Sequence, residues 1–62
     1  MSKKGKEGDI VKFIRNGMMI MGKVLKVREA SVIVSISNDD AEALNLDTPF
    51  TIVSNKNYVI VL

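Results

Sequence analysis

The segment from Asn16 to Val27 constrains the fold of this chain more than any other. It opens with Asn16–Gly17, a pair that favours two-residue hairpin turns because both residues tolerate positive φ. The pair predicts a tight hairpin between a first strand, residues 9–15, and a second strand that runs from Met18 to about Arg28. The start of the chain is therefore expected to be β-structure.

The second predicted strand changes phase along its length. Ile20, Gly22 and Val24 share one face of a two-residue alternation, but the next apolar residue of that set, Val27, is out of step. One extra residue after Val24, a β-bulge, would reset the alternation. Glycine inside a strand marks a bend or a close backbone approach. A bulged, glycine-containing strand is what a small barrel needs to curl on itself.

The rest of the chain predicts three more strands and one helical turn. Val32, Val34 and Ile36 alternate with mostly serine residues over the third strand, residues 31–37, and residues 48–54 form the fourth strand, with Pro49 near its start. Residues 38–47 are helix-like, with Asn38 or Asp39 as the cap. Residues 55–57 form a turn, and residues 58–62 a final strand. Because 62 residues are too few for two full sheets, the prediction is an all-β, five-stranded barrel with one short helical turn between strands 3 and 4. The barrel is expected to span residues 9–62, after a flexible basic tail at 1–8.

Composition excludes several functions. The chain has no Cys and no His, so disulfides, thiolate metal sites and Ser–His or Cys–His catalysis are excluded. Apolar residues make up 47% of the chain, which is too many for a disordered protein. No apolar run reaches the roughly 18 residues that a membrane span requires, and none follows the basic start. The expectation is a cytoplasmic protein of bacterial style, with no membrane association, no cofactor and no enzymatic activity.

Charge is unevenly distributed. Residues 1–28 hold eight Lys and Arg against two acids, a net charge of +6, whereas residues 29–62 have a net charge of −4. This asymmetry predicts a basic surface on one side of the barrel and an acidic one on the other, although two ordinary solvated faces explain it as well.

Residues Asp9 to Val34 resemble a KOW motif, the SH3-like segment of some ribosomal proteins and transcription elongation factors. The matching residues are Gly8–Val11 ("GDIV"), Gly22–Val24 ("GKV") and Val32–Val34 ("VIV"). The whole chain, including its "TIVSNKNYVIV" ending, is similar to the YkvS-like family of short bacterial proteins. The resemblance implies an SH3-like barrel that binds RNA or a transcription or translation partner. The chain departs from many RNA-binding examples by having Met18, Met19 and Met21 where they have more Arg and Lys.

The first candidate site is a basic stripe for phosphate groups. Hairpin pairing of the first two strands would bring together Lys12, Arg15, Lys23, Lys26 and Arg28, with Lys3, Lys4 and Lys6 added by the tail. Tyr58 is the aromatic residue expected to offer a stacking surface for a base. The alternatives are ordinary solvated lysines and a tyrosine that simply caps the core.

The second candidate site is apolar. If Ile20 faces inward, Met19 and Met21 face outward, and Ile33 can join them from the next strand. Exposed apolar patches mark interfaces, and methionine adapts to different partners. Equally, the tail or the 38–47 segment could cover these residues, or a small barrel could need extra packing there.

The acidic residues predict no metal site. Asp39, Asp40, Glu42 and Asp47 lack the ligand alternation and central glycine of a calcium loop, and helix capping explains them better. The preferred function is therefore a small binding module that contacts RNA or a ribonucleoprotein. The alternative is a protein-interaction or self-associating module that uses the methionine surface, including a homo-oligomer.

Overall fold

The computed structural model describes residues 5–61, in which five strands form one antiparallel sheet. The sheet order is β4-β3-β2-β1-β5, and a six-residue helix follows β3. The elements are β1 (Ile10–Arg15), β2 (Met18–Val27), β3 (Ser31–Ser35), α1 (Asn38–Ala43), β4 (Phe50–Ser54) and β5 (Tyr58–Val61). The predicted all-β fold, with one short helical turn between strands 3 and 4, is confirmed and is consistent with an SH3-like barrel.

The hairpin predicted at Asn16–Gly17 is present. Asn16 has φ 53° and Gly17 has φ 77°, the left-handed conformations that a primed turn requires. This turn sets the register of β1 against β2, in which Arg15 faces Met18 and Phe13 faces Ile20. Phe13 and Ile20 are both buried, so the turn fixes which side chains enter the core.

The predicted irregularity in β2 is also confirmed. Val24 and Lys26 pair with the consecutive residues Val34 and Ile33, so Leu25 is the extra residue of a β-bulge. Beyond it Val27 pairs with buried Val32, although Val27 itself stays 37% exposed at the rim.

Gly22 permits a close approach between β2 and the end of β3. A Cβ atom built on it would lie 2.8 Å from the backbone oxygen of Ser35, and 3.2 Å from side-chain atoms of Val34 and Ile36. Only glycine lets β2 lie this close to β3.

The core lies inside the curled sheet, closed on one side by α1. Inward positions of all strands except β5 contribute fully buried apolar residues, and Met18, Leu46, Tyr58 and Ile60 pack against them. The buried set is Val11, Phe13, Ile20, Val24, Val32, Val34, Ile36, Ala41, Leu44 and Val53. The alternation read from the sequence thus identified the inward faces of β1, β2 and β3.

The helix begins one residue earlier than predicted. Ser37, and neither Asn38 nor Asp39, is the N-cap: its Oγ accepts a hydrogen bond of 3.1 Å from the Asp40 N–H. Ser37 can do this because its backbone is still extended, with φ −68° and ψ 157°. β3 therefore ends at Ser35, two residues short of the predicted end, and the Ile36 N–H donates to the Pro49 carbonyl.

The segment before β1 is bonded to the barrel over the part that the structure describes. The Gly5 N–H donates to Tyr58 Oη at 2.8 Å, and the Gly8 N–H donates to the Val24 carbonyl at 2.8 Å. Gly5 is buried. The predicted flexible tail, residues 1–8, includes Lys3 and Lys4, which lie outside the described residues.

Candidate functional site

An exposed apolar surface covers the outer side of β1, β2 and β5. Met19 faces Ile14, Met21 faces Lys12, and Lys12 in turn faces Val59 on β5. Since these side chains alternate with the buried ones, all of them point away from the core. We call this surface the Met face and define it as Ile10, Lys12, Ile14, Met19, Met21 and Val59.

The apolar members of the Met face are open to solvent. Met19 is 59% exposed, Met21 51%, Ile14 66% and Val59 55%. Neither α1 nor residues 5–8 cover them, contrary to one of the alternatives considered from the sequence. The core contains none of these residues, so burial in the fold does not explain their apolar character.

Lysines are the charged groups of this surface. Lys12 lies between Met21 and Val59 in the middle of the Met face, and Lys23 lies one row further, opposite Ile10. The three strands that form the surface contain no Asp or Glu. The Met face is therefore apolar and positively charged at once.

A groove of about 370 Å³ lies at one end of the Met face. Its apolar wall includes Ile14, Met19 and Val59, and Lys12 and Lys56 contribute the cationic part. The remaining lining residues are Phe13, Asn57 and Tyr58, so within the described part of the chain no carboxylate lines the groove. Lys56 belongs to the turn between β4 and β5, and its proximity to Lys12 could not be read from the sequence.

The predicted basic stripe is only partly assembled. Lys23 and Lys26 lie on the outward side of β2, where Lys26 faces Ile33, and Arg28 is exposed beyond the end of the strand. Lys6 is exposed in the segment before β1.

Arg15 has a different position from the other cations. Its Nη1 donates to Thr51 Oγ1 and its Nη2 to the Ile52 carbonyl, each at 3.1 Å, and its guanidinium carbon lies 5.6 Å from the centre of the Phe13 ring. The guanidinium of Arg15 is therefore bonded to β4 of the barrel itself.

Tyr58 is half-buried and packs against the core. Its hydroxyl accepts from the Gly5 N–H at 2.8 Å and donates to Asn55 Oδ1 at 3.3 Å. The ring is therefore fixed as a wall of the groove, with less free surface than a stacking residue would offer.

The structure does not bring Ile33 to the methionines. Ile33 faces Lys26 on one side and Ile52 on the other, at the far end of β2 from Met19. Ile14 and Val59 lie on the Met face with the methionines instead. Ile14 could have been found, because it interrupts the polar alternation of the first strand, whereas Val59 required the register of β5 against β1.

Within residues 5–61, no group of three or more acidic side chains is arranged to hold a metal ion. In the same residues no helix is long and apolar enough to cross a membrane.

A family model described as an uncharacterized protein conserved in bacteria (DUF2187) matches residues 3–61. Among curated proteins and among solved structures, no match to the chain is found.

Proposed function

The chain belongs to this bacterial family, and we propose that it is a small, non-catalytic cytoplasmic module that binds a protein partner through the Met face. The observation that supports this most directly is the exposure of four large apolar side chains side by side on the outer side of the sheet. Contiguous apolar patches on small soluble domains mark interaction surfaces. Methionine suits such a surface because its flexible thioether adapts to the shape of a partner.

Charge favours a partner other than a second copy of this chain. In a symmetric dimer formed face to face, each Met face would meet its own image. Lys12, in the middle of the face, would then approach the Lys12 of the other copy or its neighbour Lys23. Buried like charges without acids between them oppose association. A partner with acidic groups would instead neutralise these lysines.

Selection from a random peptide library, followed by affinity measurement, tests this proposal. Immobilised protein is used to select peptides, and their affinity is measured for the wild type, Met21→Lys and Ile52→Lys. Ile52 is a matched control because it is 55% exposed, points outward from β4 and lies outside the Met face. We expect Met21→Lys to weaken binding by about tenfold or more, as loss of a central apolar contact does, and Ile52→Lys to change it by less than about twofold.

Failure to select any peptide would contradict the proposal. Equal sensitivity to both substitutions would contradict it too, because binding would then not depend on the Met face. Circular dichroism of both variants checks that the fold is retained. Sedimentation at high protein concentration checks the dimer: reversible self-association that Met19→Lys abolishes would show that a second copy, rather than another protein, is the partner.

RNA binding through β2 is the second candidate. It is favoured by Lys23, Lys26 and Arg28, which follow one another along the outward side and the end of this strand. The resemblance to a KOW motif is part of this second proposal. Backbone bonds between the first two segments of the motif support the resemblance: the Gly8 N–H donates to the Val24 carbonyl, and the Val24 N–H donates to the Asp9 carbonyl.

Titration with labelled single-stranded RNA at two salt concentrations tests the second candidate. Three phosphate contacts on a single strand predict a slope of about −2 for the logarithm of affinity against the logarithm of salt concentration. Lys23→Glu combined with Lys26→Glu should remove most of this dependence. Absence of binding at low salt would exclude the RNA proposal and leave the protein-binding proposal intact.

A further inference from the structure

We infer that the Met face binds an acidic amphipathic segment of its partner, which inserts one large apolar side chain into the groove and pairs carboxylates with Lys12 and Lys56. This inference rests on the proposed function and specifies the partner's chemistry. Its basis is the coincidence, in one groove, of an apolar wall with two cations from different elements.

The apolar wall specifies the anchor. Ile14, Met19 and Val59 line the groove from three neighbouring strands, and each is more than half exposed in the free protein. A volume of about 370 Å³ is large enough for one big side chain with part of its backbone. Insertion of a leucine- or phenylalanine-sized group would remove this apolar surface from water, which favours binding.

The cations specify what surrounds the anchor. A partner that covered Lys12 and Lys56 without opposite charges would remove two ammonium groups from water without compensation, which opposes association. Because no acidic residue among residues 5–61 lines the groove, we expect the compensating carboxylates to come from the partner.

Two aromatic residues that line the groove are held in place before binding. The Tyr58 hydroxyl is bonded to both Gly5 and Asn55, and the Phe13 ring lies under the Arg15 guanidinium. Residues that are already held in place lose less entropy on association, which favours binding of a short segment.

The experiment extends the peptide selection described above. The selected sequences are scored for Asp and Glu next to one large apolar residue. Affinities are then measured for Lys12→Glu, for Lys56→Glu and for the control Lys26→Glu, which lies on the same outer surface but outside the groove. A version of the best peptide with its acids replaced by amides is measured alongside, as are vesicles of anionic phospholipid.

We expect acidic residues to be enriched in the selected peptides. Lys12→Glu and Lys56→Glu should each weaken binding by about tenfold, and Lys26→Glu by less than about twofold. Amide replacement in the peptide should weaken binding similarly and remove its salt dependence.

The failures of the two proposals can be separated. Neutral peptides whose affinity responds to Met21→Lys but not to the two groove lysines would overturn this inference and leave the proposed function standing. Peptides that do not respond to Met21→Lys would overturn the proposed function itself. Binding of the anionic vesicles, with no peptide selected, would overturn both in favour of a lipid surface.

Discussion

The guanidinium of Arg15, at the end of β1, donates a hydrogen bond of 3.1 Å to the backbone carbonyl of Ile52 on β4. β2 and β3 lie between these strands, so in a flat sheet three strand spacings would separate them by about 14 Å. The contact is possible only because the sheet curls. It also occupies a carbonyl of β4, an edge strand of the sheet.

Replacement of Arg15 should therefore loosen the barrel. Arg15→Ala removes two hydrogen bonds and the contact with the Phe13 ring, so we expect the free energy of unfolding to fall by about 1–3 kcal/mol. Arg15→Lys keeps the charge but lacks the planar fork that reaches both Thr51 and Ile52, and it should recover less than half of the loss. Urea unfolding measures both effects. A lysine variant as stable as the wild type would show that charge alone is sufficient.

Gly22→Ala should be one of the most damaging small substitutions in the chain. The new Cβ would lie 2.8 Å from the Ser35 carbonyl oxygen, which is backbone and cannot move without shifting β3. We expect a loss of about 1–3 kcal/mol in the free energy of unfolding. Lys23→Ala, on the outward side of the same strand, is the control and should change stability by less than about 0.5 kcal/mol. Equal stability of the two variants would contradict the close approach.

Tyr58→Phe tests the attachment of the segment before β1. The substitution leaves the Gly5 N–H without its acceptor in a buried position, which costs about 1–3 kcal/mol if the segment stays in place. We expect the segment to detach instead, so that amide exchange at Gly5 accelerates. Exchange at Ile36, bonded to Pro49 in another part of the barrel, serves as the internal reference and should stay slow. Unchanged exchange at Gly5 would show that Tyr58 does not hold it.

Oxidation should weaken binding at the Met face. Peroxide converts each exposed thioether to a sulfoxide, releasing water, and the polar product disfavours burial against an apolar partner. Met19 and Met21 are exposed, whereas Met18 packs against the core and should react more slowly. We expect peroxide to lower the affinity for selected peptides by about tenfold in the wild type. The double variant Met19→Leu, Met21→Leu should bind equally well before and after treatment, and a similar loss in that variant would assign the effect to another residue.

The sequence predicted the local features of this fold well. Alternation assigned Val11, Phe13, Val32 and Val34 to the core, and the phase shift after Val24 located the bulge, because both are periodic properties of a single strand. The helix cap was missed by one residue because Ser37, Asn38 and Asp39 can all accept from the helix N terminus. Only the backbone conformation distinguishes them.

Relationships between distant segments were not predictable in the same way. The contact of Arg15 with β4 depends on how strongly the sheet curls, and the place of Lys12 and Lys56 in one groove depends on the pairing of β5 with β1; no local pattern encodes either. Ile33 was grouped with Met19 and Met21 because all three point outward. The face on which a residue lies does not determine its position along the strand, however. The register of β2 against β3 places Ile33 beside Lys26 instead.

Residues 5–9 are part of the barrel wall, although they form no β-ladder. The Gly5 N–H is bonded to the Tyr58 hydroxyl and the Gly8 N–H to the Val24 carbonyl. The smallest unit that folds should then start at Gly5 rather than at Ile10. A protein shortened to begin at β1 would lack the hydrogen bond from Gly5 that holds Tyr58, so the groove that Tyr58 lines would deform. Such a shortened protein could lose its ligand with every groove residue still in place.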